Sequence, residues 1–260
     1  MKNLKPIYWI WSVTVLLTVF FAYYQRKTGP TYPIKDTAIV GNDVIHYKLL
    51  RSCNSGQGAE IKIQVKDSNI IGRIYFKKFR SPEPRDEFWM KRQGEYLTYT
   101  LPSQPPAGKL LYQVVLMDNY KSVLLTPKPI LIRFKGKVPS GILIPHILFM
   151  FLAMLFSTRA GIEAILKRSK AFLYSYLTLA FLVAGGIILG PIVQWYAFGS
   201  FWSGFPFGRD LTDNKTFLAL LFWVTAVIVL FRHRENRTWP VIASVMLIIV
   251  FLIPHSLLGS

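Results

Sequence analysis

Residues 194–216 read QWYAFGSFWSGFPFGRDLTDNKT. They stand between two long apolar runs, so the reading of this segment decides what kind of protein the chain makes. Trp195, Trp202, Tyr196, four phenylalanines, three glycines and Pro206 come first; Asp210, Asp213, Asn214 and Lys215 close it. Aromatic rings beside glycine form a stiff apolar surface at close backbone approach, and the polar end supplies hydrogen bonds or ligands. That mixture suits neither a plain linker nor a plain membrane span. It predicts an ordered aromatic loop at a membrane surface.

Around the loop, apolar spans are expected near residues 141–157, 171–194, 217–231 and 239–257. Their cores carry no Asp, Glu, Lys or Arg. A charge held inside a bilayer is expensive and usually marks an ion path, so this pattern speaks against a pump or coupled transporter. Arg159, Lys167, Arg168 and Lys170 follow the first of these spans, and Arg232, Arg234 and Arg237 follow the third. Both loops are basic and therefore expected in the cytoplasm. Residues 7–24 form one more uncharged run, preceded by Lys2 and Lys5 and followed by no small-x-small cleavage site, which predicts an uncleaved signal anchor. Five spans with this sidedness put the N-terminus in the cytoplasm. The middle of the chain, the aromatic loop and the C-terminus then lie outside, in the periplasm if the membrane is a bacterial inner membrane.

Between residues 33 and 137 the periodicity changes to short alternating runs, such as those at 60–65, 72–79, 96–101, 110–116 and 130–134. Period two with β-branched and aromatic residues, separated by Gly-, Asn- and Pro-rich turns, predicts half-buried strands. Seven or eight of them in this length favour an antiparallel sandwich of immunoglobulin or fibronectin III kind. The fold class is thus an α+β membrane protein. Residues 1–27 form the anchor, 28–138 the extracytoplasmic β-sandwich, and 139–260 a four-helix transmembrane domain with its outer loop at 194–216.

Composition narrows the function. The chain has 260 residues, 52% hydrophobic, a mean hydropathy of +0.34 and a net charge of +18. No nucleic-acid-binding motif accompanies that charge, so anionic lipid headgroups are the expected partner, with an acidic membrane or periplasmic protein next. Cys53 is the only cysteine, which excludes an internal disulfide and a C-x-x-C site. Ser200 and Ser203 lack a G-x-S-x-G elbow, so nothing argues for a hydrolase.

Two histidines share an Ile-Pro-His context at span ends expected on the loop's side, His146 and His255. Met150 and Met154 follow His146 on one helical face, so a His/Met pair of iron ligands is a further arrangement. Asp210, Asp213 and Asn214 offer three oxygens to a cation, too few for a calcium cage without help. As a purely structural alternative, Asp213 or Asn214 caps the following helix and the rings anchor at the interface.

Gly199-Ser-Phe-Trp202-Ser, followed by Asp213-Asn-Lys-Thr-Phe-Leu-Ala-Leu-Leu-Phe-Trp223, resembles the tryptophan-rich loop of the haem-handling proteins of cytochrome c maturation. That family carries a W-G-x-x-W-x-W-D core running on as P-K-E-T-W-A-L. The similarity covers about 30 residues of the 260; Phe198 stands at the first Trp, and residues 204–209 interrupt the W-D junction. The resemblance implies haem held at the outer face, with His146 and His255 on the iron, Trp195 and Trp202 against the porphyrin, and Arg209 and Lys215 near the propionates. Two functions therefore stand at this point. One is a non-enzymatic membrane accessory or scaffold subunit that engages a partner; the other is a haem-handling or cytochrome-assembly factor.

Overall fold

The computed structural model describes residues 5–118 and 121–253, so His255 lies outside the described residues. It is an α+β structure that divides into two compact units. One comprises Met1–Pro30, Val138–Tyr196 and Ser200–Ser260; the other comprises Thr31–Lys137 with Ala197–Gly199.

The second unit holds β1 (Ile34–Val40), β2 (Asp43–Leu49), β3 (Ser52–Asn54), β4 (Ala59–Gln64), β5 (Ile71–Lys78) and β6 (Asp86–Trp89). It continues with β7 (Lys91–Gln93), β8 (Tyr96–Leu101), β9 (Lys109–Met117), β10 (Ser122–Leu124) and β11 (Ile130–Lys135). Three sheets result: the β1–β2 hairpin, a ribbon β4-β8-β7, and a larger sheet ordered β3-β11-β9-β5-β6 with β10 beside β9. All pairings are antiparallel except β3 with β11, which is parallel.

The alternation that predicted strands is what builds the core. In β4, Ala59, Ile61 and Ile63 turn inward while Glu60, Lys62 and Gln64 face solvent. The inward sides of the three sheets share one cluster that includes Leu49, Ile61, Ile74, Leu97, Val114, Ile132 and Phe134. Each such side chain contributes about 1.5–3 kcal/mol relative to exposure. Two buried phenols are satisfied: the Tyr47 hydroxyl donates to the Leu125 carbonyl at 2.5 Å and that of Tyr112 to Leu50 at 2.7 Å. Burial pushes the Tyr112 phenol far above its ordinary range.

The first unit is helical, with α1 (Lys5–Thr28), α2 (Ser140–Ile165), α3 (Ala171–Leu182), a π-helical segment (Val183–Leu189), α4 (Gly190–Phe198), α5 (Leu211–Arg232) and α6 (Thr238–Leu252). Three stretches are long and apolar enough to cross a membrane: Ser140–Ile165, Ala171–Phe198 and Leu211–Arg232. α6 is apolar but shorter. Size sorting supports a lipid surround. Small residues, among them Ala153, Ala160, Ala219, Ala226 and Ala243, pack inside around Trp223, while Leu16, Phe20, Leu148, Ile188 and Ile228 point outward. In water the large side chains would be the ones to hide; in a bilayer, close helix approach over small residues is the main source of packing energy.

The basic segment after α2 differs from its sequence reading. α2 continues to Ile165, so Arg159 belongs to the helix and not to a loop. Arg159 and Glu163, each 2% exposed, form an i,i+4 ion pair at 2.6 Å, and Arg168 reaches the same carboxylate at 3.4 Å. The Arg159 guanidinium also lies over the rings of Trp11 and Tyr174, at 4.9 and 5.3 Å. An apolar-run count stops at the first arginine; the helix does not, because Glu163 one turn on neutralises the charge and two aromatic faces cover it. Glu163→Ala leaves Arg159 buried without its counter-charge and should cost about 3–5 kcal/mol. Arg168→Ala removes a partly exposed partner and should cost under about 1 kcal/mol. Unfolding of the two variants in detergent, followed by tryptophan fluorescence, measures that difference.

Candidate functional site

The loop between α4 and α5 is organised by its polar end. Asp210 is the N-cap of α5, its Oδ1 accepting from the Thr212 and Asp213 amides at 2.7 and 3.2 Å. The helix therefore starts earlier than a cap at Asp213 or Asn214 implied. The reason is local: once Asp210 closes the first turn, the next two polar residues lie inside the helix and point back at the loop.

Asp213 Oδ2 accepts from the Ser203 amide at 2.6 Å, from Gln194 Nε2 at 3.1 Å and from the Ser203 hydroxyl at 3.3 Å. Gln194 Nε2 also lies 2.6 Å from Ser203 Oγ. One carboxylate thus ties the end of α4, the middle of the loop and the start of α5. Asn214 Oδ1 accepts from the Phe205 amide at 2.6 Å. Gly204 makes this approach feasible: a Cβ there would meet Asp213 Cβ at 2.5 Å and Asn214 Oδ1 at 2.8 Å. One oxygen of each residue that the sequence offered to a cation accepts a backbone N–H, from α5 at Asp210 and from the loop at Asp213 and Asn214. Among the described residues no group of three His, Cys, Asp or Glu is arranged to hold a metal.

The aromatics are what this framework presents. Trp195 stacks on Phe201, ring centres 5.6 Å apart and 13° from parallel. Trp202 Nε1 donates to the Phe205 carbonyl at 3.0 Å, which turns the chain so that Phe205 and Phe207 stand 65% and 84% exposed. Arg209 is exposed beside them. Lys215 is not: it is buried, and its Nζ donates to the Ile253 carbonyl at 2.6 Å, at the C-terminal end of α6. A cation there meets the negative end of that helix, and Gln25 Nε2 serves the Phe251 carbonyl in the same way at 3.0 Å. Lys215 is therefore turned away from the surface where Arg209 lies.

His146 sits in α2, and its Nδ1 lies 2.9 Å from the Gly185 carbonyl. That carbonyl also accepts from the Gly190 amide in the π-helical pattern, so its two lone pairs serve two donors. With Nδ1 donating, Nε2 keeps its lone pair. Gly185 itself is a close-packing point, since a Cβ would lie 3.0 Å from Phe149 Cβ and 3.1 Å from the Met150 amide nitrogen. Gly186 faces Thr216 of α5 in the same way, at 2.9 Å.

Sequence reasoning missed Gln194 and used Ser203 only as a rejected nucleophile. A glutamine closing an apolar run was the available signal, since such a group needs a partner at the membrane edge. No protein-family model matches the chain, and its sequence has no significant match among curated proteins.

Asp213→Ala should free the amide of Ser203 and the Gln194 side chain together. Hydrogen exchange at Ser203 should then accelerate by about tenfold or more, as expected for losing a hydrogen bond to a charged group worth about 1.5–3 kcal/mol. Arg209→Ala, which removes no loop contact, should leave exchange unchanged.

Proposed function

We propose that the chain is a non-enzymatic integral membrane accessory or scaffold subunit, whose β unit and aromatic loop engage a protein partner. In this reading α1 is the anchor, the β unit is an extracytoplasmic immunoglobulin or fibronectin III-like module, and the remaining helices form a four-helix transmembrane domain. The N-terminus lies in the cytoplasm of a bacterial cell, and the β unit, the loop and the C-terminus lie in the periplasm. One observation carries the reading. Asp213 and Asn214 hold the loop through the Ser203 and Phe205 amides while Asp210 caps α5, and what the held loop offers is exposed phenylalanine. Fixed aromatic rings lose little conformational entropy on contact, which is why such side chains anchor interfaces.

Haem handling is the second reading, favoured by the geometry at His146. A histidine whose Nδ1 is held by a backbone carbonyl and whose Nε2 is free is oriented as metal-ligating histidines are. Trp195, Trp202 and Arg209 would then face the porphyrin, and His255 would be the second ligand.

Photo-crosslinking from position 207 in native membranes tests the first reading. A discrete protein adduct that disappears with Phe205→Ser supports it; adducts to lipid alone overturn it. An absorbance scan of detergent-purified protein made with haem supplied tests the second. A Soret band lost in His146→Ala supports haem, and a colourless preparation removes it.

A further inference from the structure

The β unit carries a feature that neither reading uses. An open concavity of about 560 Å³ lies between the outward face of the β1–β2 hairpin and the outward face of β4. Strand register determines what lines it. Lys35 stands directly opposite Lys48, and Thr37 directly opposite His46, on the side of the hairpin that faces away from Ile45, Tyr47 and Leu49. Lys62 completes the wall from β4, its Nζ held 4.0 Å from the centre of the Tyr96 ring.

Like charges opposed across two strands weaken a hairpin, and an unliganded ribbon is better served by opposite signs. Yet none of Lys35, Lys48 and Lys62 makes an ion pair with a described residue. Asp36 is the one carboxylate on the wall, and its Oδ1 accepts from the Thr37 amide at 2.8 Å. Three lysines therefore line the concavity against one aspartate, together with Thr37 and His46.

We propose that this concavity binds a phosphate-bearing anion, with Lys35, Lys48 and Lys62 supplying charge and Thr37 and His46 supplying directional hydrogen bonds. The donor set chooses the chemistry. Compact ammonium groups arriving from two walls suit the several oxygens of a tetrahedral anion, whereas planar carboxylates favour the fork of arginine, and no arginine lines the concavity. Nucleic acid is disfavoured because neither tyrosine on the wall offers a platform for a base: the Tyr96 ring has its face covered by Lys62, and Tyr47 is buried with its hydroxyl donating to the Leu125 carbonyl. The volume lies in the range of small-molecule sites, so one phosphorylated headgroup or small phosphate ester fits.

Lysine footprinting of the full chain tests this, using nanodiscs of phosphatidylcholine at low salt, an amine-acylating reagent and mass spectrometry. Added pyrophosphate should slow acylation of Lys35, Lys48 and Lys62 by about fivefold or more, leaving the exposed Lys66 and Lys128 unchanged. In the double variant Lys35→Glu, Lys48→Glu, both at exposed positions, protection of Lys62 should vanish. Nanodiscs containing phosphatidylglycerol without pyrophosphate separate the sources: protection there assigns the phosphate to a lipid headgroup, and protection by pyrophosphate alone assigns it to a soluble ligand. No selective protection in either arm, or undiminished protection of Lys62 in the double variant, overturns the proposal.

Discussion

The helical unit depends on a single carboxylate. Asp213 stands almost wholly buried at the head of α5, where an unpaired acid would be costly, and it gathers Ser203 and Gln194 to itself. Because its donors come from the end of α4 and from mid-loop, satisfying one charge also closes the connection between two membrane-length stretches. The backbone of an irregular segment at a membrane edge needs partners that lipid cannot provide. Asp213 and Asn214 provide them, helped by the Trp202 indole at the Phe205 carbonyl, which leaves the rings of Phe205 and Phe207 without a structural hydrogen bond to make. The platform of Phe201, Phe205 and Phe207 follows from that division of labour.

The same constraint recurs at several polar side chains of the helices. Lys215 and Gln25 close the carbonyls at the end of α6. Arg159 is covered by Glu163 on one side and by Trp11 and Tyr174 on others. The Gly185 carbonyl of the π-helical segment serves both the Gly190 amide and His146. In each case a buried polar group has found a specific partner, and the apolar remainder of each helix is left to pack by size. Alanines at Ala153, Ala160, Ala219, Ala226 and Ala243 pack inside beside larger residues such as Trp223 and Leu247, and many large apolar side chains are left facing outward.

In the β unit the governing constraint is the period of two. Each inward residue of β2 and β4 has an outward neighbour, so a well-filled core carries an equally regular outer face with it. On the hairpin that outer face carries lysine against lysine, an arrangement that core packing neither requires nor rewards. The phosphate site proposed above would give it a use.

Much of this was legible from residues alone, for physical reasons. Alternation located β4, β5, β8, β9 and β11, because a half-buried strand cannot hide its period. Apolar run length located the three long stretches, because bilayer thickness sets a minimum. Local chemistry also marked the polar end of the loop as a helix start. What one dimension did not contain was partnership across the chain. That Arg159 extends α2 depended on Trp11 and Tyr174, distant in sequence; that Lys215 turns to Ile253 depended on where α6 ends. The division of the strands into three hydrogen-bonded sheets, and the parallel joining of β3 to β11, came from long-range pairing. The sequence determined which segments are apolar, which alternate and which residues bear chemistry. Only the tertiary structure decided which of those residues are consumed in holding the fold and which are left facing outward, because a hydrogen bond or ion pair is assigned by proximity in space.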